Sequence, residues 1–226
     1  MSESTNTSTA REVLADFLEQ RQIALSQAQL AQLLEYCGLI MRWNRLTSLV
    51  QVRTPEELVR GHVIDCLAAL PEIKGPQVAD VGSGAGLPGL VFAIAKPDWF
   101  FYLVEANERR ARFLTQVKIE LSLENIEIVN RRVEQWRAVP ALDCVVSRAF
   151  SSLDTFYKSC RHLEQPANNN ERHSGKLLFA ALKGRITEQE LASLEGSSLS
   201  VQVKSLEVPG RDHRHVVLIE TRAAPA

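Results

Sequence analysis

Glycines and acids at fixed spacing mark the part of this sequence most able to do chemistry. The stretch runs Val78-Ala79-Asp80-Val81-Gly82-Ser83-Gly84-Ala85-Gly86-Leu87-Pro88-Gly89. It follows a short β-type run and opens a helical pattern, with Pro88 suited to the first helical position. Glycines in such a turn take positive φ and let the backbone approach a ligand, while the amides at the helix start attract a carboxylate or phosphate. A dinucleotide fingerprint, G-x-G-x-x-G, would need its third glycine at position 87, where Leu87 stands. The pattern present is D-x-G-x-G-x-G, built on Asp80, Gly82, Gly84 and Gly86. An acid at the strand tip repels a pyrophosphate and suits a cationic amino acid moiety; S-adenosylmethionine carries such an ammonium group and a sulfonium. Glu105 closes the next strand, 25 residues after Asp80, where a carboxylate accepts hydrogen bonds from both ribose hydroxyls. Val133-Glu134 follow the third strand at the same edge, placed to read an adenine, although Glu134 alone also fits a solvated acid at a helix start.

These residues need a sheet to bring them together. From residue 75 onward, short runs rich in β-branched residues alternate with helical patterns. Strands are expected at Gln77 to Val81, Phe100 to Glu105, Ile126 to Asn130, Cys144 to Ser147 and Lys176 to Leu182, separated by helices at about Pro88 to Ala95, Asn107 to Leu121 and Leu153 to Leu163. Leu199 to Val208 and His215 to Glu220 follow one another across Pro209-Gly210, as an antiparallel pair would. The fold class is therefore α/β: a doubly wound, Rossmann-like sheet, mostly parallel, closed by an antiparallel hairpin, which is the arrangement of class I methyltransferases. Before it, residues 10–72 show helical spacing, with a third helix over Pro55 to Leu70 ended by Pro71, and read as a small helical appendage. Residues 1–9 are polar and read as a disordered tail, Gln165 to Gly175 as a polar loop, and residues 73–226 as the cofactor-binding domain.

Composition narrows the class. With 45% hydrophobic and 23% charged residues the chain can build a packed core. No stretch approaches the ~20 apolar residues of a membrane span, and the start lacks a secretion signal, so a cytoplasmic protein without membrane association is expected. Cys37, Cys66, Cys144 and Cys160 lack zinc spacing and read as buried free thiols, with no metal expected. Net charge is −1, so any nucleic-acid contact must come from a local patch.

In order along the chain, Trp43-Asn44, His62-Val63-Ile64-Asp65, the glycine turn, Glu105 with Arg109 and Arg112-Phe113-Leu114, Arg132-Val133-Glu134, Ser147-Arg148-Ala149-Phe150, Ala181-Leu182-Lys183-Gly184 and Arg214-His215 carry a family likeness. The chain resembles the bacterial small-subunit rRNA guanine-N7 methyltransferases, the RsmG family, formerly glucose-inhibited division protein B. It departs at Ser48-Leu49-Val50, where the family commonly has Asn-Leu-Thr, and at Gly61, where a basic residue is usual. The resemblance implies S-adenosylmethionine as cofactor, 16S ribosomal RNA or the small ribosomal subunit as partner, and methyl transfer to guanine N7 in the 530 loop. It also implies cofactor contacts at Gly82, Leu87, Val133, Glu134 and Arg148. A monomer is expected.

The residues are compatible with that chemistry. Guanine N7 is an in-plane acceptor whose lone pair needs no deprotonation, so in-line transfer has no obligatory general base. Ser147-Arg148-Ala149-Phe150 lacks the paired prolines of exocyclic-amine methylation, and Cys144, inside a strand, is poorly placed to supply the thiolate of pyrimidine C5 methylation. Arg148 is the candidate for orienting substrate or cofactor, with a structural ion pair as its plainer role. Lys183, Arg214, His215 and Arg109 are candidates for RNA contacts. Phe150 suits base stacking and core packing alike. His62 and Asp65, three residues apart, are read as braces of the appendage. A noncatalytic nucleotide or nucleoside sensor and a small-molecule methyltransferase are the competing readings.

Overall fold

The computed structural model describes residues 2–137, 141–148, 150–164, 176–194 and 198–221, with side chains from residue 8 onward. The polar loop expected at residues 165–175 lies outside them, as does Ala149. Three chain segments precede the sheet: α1 (Ser2–Gln20), α2 (Gln27–Asn44), and a composite helix made of α3 (Pro55–Leu58), a π turn (Val59–Val63) and α4 (Ile64–Ala69). Residues 2–9, expected as a disordered tail, are part of α1; the segment holds no Gly or Pro to stop a helix propagating back from its buried turns. Ser26 caps α2 in a capping box with Gln29. Pro71, expected to end the third helix, lies in a closing 3₁₀ turn, Leu70–Glu72.

The sheet then builds as β1 (Gln77–Val81), α5 (Gly89–Ala95), β2 (Phe100–Val104), α6 (Glu108–Glu120), β3 (Ile126–Val129), β4 (Cys144–Arg148), α7 (Leu153–Cys160), β5 (Leu178–Lys183), α8 (Glu188–Ala192), β6 (Leu199–Ser205) and β7 (His215–Thr221). Strand order is β3-β2-β1-β4-β5-β7-β6, with β1 to β5 parallel and β7 antiparallel to both neighbours. The expected strands and hairpin are all present within a few residues of their ends; α8 has no counterpart in the sequence reading.

Strand alternation sorts side chains between two hydrophobic clusters. Val78, Phe101, Leu103, Cys144, Val146 and Ala180 join α1, α2, α4, α5 and α6 on one face. Ala79, Val81, Val104, Val145, Phe179 and Ala181 join α7 on the other. Covering both faces is what lets β2 and β5 be apolar almost throughout. The first cluster runs from Ala10 to Val216, so the helices before residue 73 share a core with the sheet.

The order reverses at β1, where the chain first adds β2 and β3 on one side and then β4 and β5 on the other. A doubly wound sheet binds its ligands at this switch point, beyond the carboxyl ends of the strands. His215, at the start of antiparallel β7, pairs with Lys183 at the end of β5 and so comes to the same edge.

Candidate functional site

The turn after β1 takes the shape its glycines permit. Gly82, Gly84 and Gly86 all have left-handed φ, at 72°, 59° and 86°. At Gly86 a Cβ would stand 2.2 Å from Leu90 Cδ1, so helix and turn pack too closely for a side chain. At Gly82 a Cβ would meet nothing within 4 Å, leaving open space where a ligand can approach the backbone.

The two acids are placed by opposite ends of this turn. Asp80 was expected on the rim; it lies fully buried beneath the turn, on the strand face that carries α5. Its Oδ2 accepts the Gly89 amide (2.9 Å), the helix-start group expected to serve a ligand's carboxylate. Oδ1 has no partner among the described residues. Burial pushes the carboxyl up to about 7, against the pull of the Gly89 amide. Glu105 closes β2 as expected and accepts from Gly84 N (2.8 Å) through Oε2 and Asn107 N (2.7 Å) through Oε1. A carboxylate has about four lone-pair sites, so acceptor capacity remains. Asn130 Nδ2 donates to the Glu105 carbonyl (2.8 Å) and ties the β3 tip to the β2 tip. Val133, in a 3₁₀ turn after β3, is buried, and Glu134 is exposed.

One contact from outside the sheet escaped the sequence reading. Tyr36, fully buried on α2, donates its hydroxyl to the Ala85 carbonyl (2.6 Å) in the middle of the glycine turn. A tyrosine among leucines on a helical face signals core, and its reach over 49 residues has no local signature.

Across the switch point lies a cleft of about 310 Å³. Arg148 from the β4 tip, Lys183, Arg211, Arg214 and His215 line it together with His62 and Asp65, and Leu182 and Leu206 give it apolar surface. The structure thus brings together Lys183, Arg214, His215 and Arg148, four of the residues expected to contact RNA or cofactor. Arg109 stays apart, exposed on the first turn of α6 beside Glu105. Arg211, in the β6–β7 connection, was not foreseen; the loop has no pattern to mark it.

His62 and Asp65 brace the helical segment, one against Arg148 at the end of β4 and the other against Arg214 just before β7. Arg148 Nη1 donates to His62 Nδ1 (2.9 Å), and Arg214 Nε donates to Asp65 Oδ2 (2.9 Å). Lys183 pairs with Glu190 of α8 (2.8 Å). A Cβ at residue 61 would stand 2.9 Å from Arg211 Nη2, so the small Gly61 makes room for that guanidinium. At the other departure from the family pattern, Asn44 holds the backbone of Leu49 and Val50 through three hydrogen bonds, so the side chains there are not what shapes the loop. Phe150 packs against Phe156 at 5.5 Å. Burial pushes the thiols of Cys37, Cys66, Cys144 and Cys160 up to about 12, so none of them offers a thiolate.

Residues 29–217 match the family model described as rRNA small subunit methyltransferase G. Ribosomal RNA small subunit methyltransferase G of Nitrosospira multiformis is 42% identical over 208 residues, covering 92% of this chain and 95% of that protein. The chain belongs to the rRNA small subunit methyltransferase G family. Two solved structures share the fold of this methyltransferase. A SAM-dependent methyltransferase from Aquifex aeolicus has a TM-score of 0.55 and 15% identity, covering 73% of this chain and 93% of its own. Magnesium protoporphyrin IX methyltransferase from Synechocystis with bound SAM has a TM-score of 0.53 and 13% identity, covering 88% and 99%. Membership in the family decides against a noncatalytic sensor and makes S-adenosylmethionine the cofactor. The residues fit that group: the open space above Gly82, the unpartnered buried oxygen of Asp80 and the spare acceptor sites of Glu105 suit a cationic, ribose-bearing ligand. Among the described residues no helix is long and apolar enough to cross a membrane, and no cluster of His, Cys, Asp and Glu is suited to a metal.

Proposed function

We propose that this methyltransferase places the methyl group of S-adenosylmethionine on N7 of a guanine in the 530 loop of 16S rRNA. The observation that carries the reading is the adjacency of two strand tips: Ser147 Oγ, next to Arg148 at the end of β4, donates to the Val81 carbonyl (2.8 Å) where the glycine turn begins, with Glu105 on that side of the switch point and the basic cleft lined by Arg148 on the other. Gly82 to Leu87, Glu105, Val133 and Glu134 hold the cofactor, with Asp80 supporting the turn from below and facing the donor's positive charge through it. When bound, S-adenosylmethionine supplies an electrophilic methyl on a sulfonium.

The protein's task is then orientation. The N7 lone pair attacks directly, and fixing it in line with the methyl accounts for roughly 7 to 11 kcal/mol of a barrier where geometry is ideal. Of the cleft groups of the helical segment able to take a proton, His62 Nδ1 is engaged by Arg148 and Asp65 Oδ2 by Arg214, while Asp65 Oδ1 is buried away from the cleft surface, in keeping with transfer that needs no general base. Lys183, Arg211, Arg214 and His215 give the cleft the positive character that phosphates favour, while Leu182 and Leu206 offer apolar contact to a base. The large exposed hydrophobics Leu46, Ile119 and Val203 are scattered along the chain, consistent with a monomer, and the cytoplasm is the compartment where ribosomal subunits are met.

A cleavage map of 7-methylguanine in 16S rRNA from cells with and without the gene tests the substrate. Loss of one modified guanine in the 530 loop on deletion is expected. An unchanged map removes the substrate from the proposal.

A further inference from the structure

His215, at the start of β7, is fixed by one hydrogen bond, from its Nδ1 to the Gly184 carbonyl at 2.9 Å. A carbonyl oxygen can only accept, so Nδ1 carries the proton and the neutral ring presents a lone pair at Nε2. Nε2 has no partner among the described residues and is not a buried atom, and His215 lines the cleft. Its neighbours there offer the opposite. Arg148, Lys183, Arg211 and Arg214 can only donate. His62 accepts from Arg148 through Nδ1, which leaves its Nε2 as one more donor. Asp65 holds Arg214 through Oδ2 and keeps Oδ1 buried. Among the described residues, His215 therefore brings the cleft a side-chain acceptor that no protein group has taken. Only β5 lies between β7 and β4, so His215 stands two strand spacings, about 10 Å, across the sheet edge from the tip of β4 and its contact with the glycine turn. A purine and one hydrogen bond bridge such a gap.

We propose that His215 Nε2 accepts an N–H from the Watson–Crick edge of the target guanine, which makes His215 the residue that orients the base and excludes adenine. A guanine that turns N7 to the methyl donor points N1–H and its N2 amine away from it, toward the far side of the cleft. Adenine has the N1 lone pair at that place, which would face the lone pair of Nε2. A site built to bond a donor rejects a base that lacks it, because its own polar group is left unpaired. Leu182 and Leu206 supply apolar contact to the base in the same cleft. N7 gives up no proton in the transfer, so His215 acts as an acceptor and not as a base. The proposal rests on the reading that the target guanine enters the basic cleft, and it leaves Arg148 to the cofactor contact that the family resemblance implies.

The test compares His215→Asn and His215→Gln in the full chain, with labelled S-adenosylmethionine and small ribosomal subunits from cells lacking the gene. The assay is run at about pH 8, above the range in which histidine ordinarily changes charge. Asn keeps an N–H near Nδ1 for the Gly184 carbonyl but has no acceptor at Nε2, whereas Gln carries an amide oxygen out to Nε2. His215→Asn is expected to lower kcat/KM for subunits by about 10- to 100-fold, the range for leaving a buried donor unpaired. His215→Gln should recover most of that loss. The slope of log affinity against log salt should stay the same in both, since no phosphate contact is lost, and cofactor affinity by calorimetry should change less than about twofold. Full activity in His215→Asn, equal losses in Asn and Gln, a fall in cofactor affinity, or a salt slope reduced by about one would each overturn the assignment. So would comparable labelling, by the wild-type protein, of subunits reconstituted with adenine in place of the target guanine. If His215→Asn does not fold, His215→Phe, a ring without the acceptor, takes its place. Wild-type protein that forms no 7-methylguanosine would defeat the substrate reading instead, so the two failures are told apart.

Discussion

At the scale of single residues, the glycine turn separates shape from ligand contact. Gly86→Ala must hold φ near +86° and push a methyl against Leu90, and should cost about 2 to 4 kcal/mol in urea unfolding. Gly82→Ala meets open space and should cost only about 1 kcal/mol of backbone strain while weakening cofactor binding in calorimetry. Asp80 gives the turn a pH dependence. Its folded carboxyl titrates at about 7, above the ordinary range of about 4, so between those values the folded state holds more protons than the unfolded one. Stability therefore falls as pH rises from the carboxylate range to about 7, then levels off. The charged form, with Arg148 pulling toward it and Glu105 against it, is the one a cationic donor favours. Affinity for S-adenosylmethionine should rise about five- to tenfold from about pH 6 to about pH 7.5, and Asp80→Asn should flatten that rise. The spacing of Asp80 and Glu105 was readable in the sequence because strand tips are. That Asp80 points under the turn was not, since which face of β1 carries α5 depends on the assembled sheet.

At the scale of elements, α2 acts as a strut beneath the cofactor side. Gln29 Nε2 donates to the carbonyls of Ile94 and Ala95 at the end of α5, Gln32 Nε2 to Leu121 at the end of α6, and Tyr36 to Ala85 in the turn between β1 and α5. Removing the Tyr36 hydroxyl leaves a buried carbonyl unpaired, which costs about 1 to 3 kcal/mol. Tyr36→Phe should lower the urea midpoint accordingly and weaken cofactor binding several-fold by calorimetry. Helical spacing at Leu30, Leu33 and Cys37 announced α2, but not which polar side chains on it would cap its neighbours. The π turn was equally hidden: Leu58, Val59, His62, Val63, Cys66 and Leu67 keep a helical period, and one wider turn leaves that pattern readable as plain helix. Strands were clearer, because runs such as Val145-Val146 and Val216-Val217 are β-branched and bounded by turn residues.

At the scale of the whole molecule, a net charge of −1 conceals a basic cleft at one sheet edge. Binding to small subunits should weaken steeply with salt, and Arg211→Ala or Lys183→Ala should each reduce the slope of log affinity against log salt by about one, as loss of one phosphate contact does. Arg109→Ala, outside the cleft, should leave that slope nearly unchanged. Lys183, Arg214 and His215 could be placed from sequence because their strands could, whereas Arg211 lies in a connection whose course only the hairpin fixes. The central claim is that one active site joins the donor at the glycine turn to guanine N7 in the cleft. It is tested most directly by incubating purified protein with labelled S-adenosylmethionine and small subunits from cells lacking the gene, then digesting the RNA to nucleosides. The account predicts label in 7-methylguanosine alone, from one guanine of the 530 loop, and strongly reduced label with Gly82→Ala. Label in another nucleoside, or none with the wild-type protein, would contradict it.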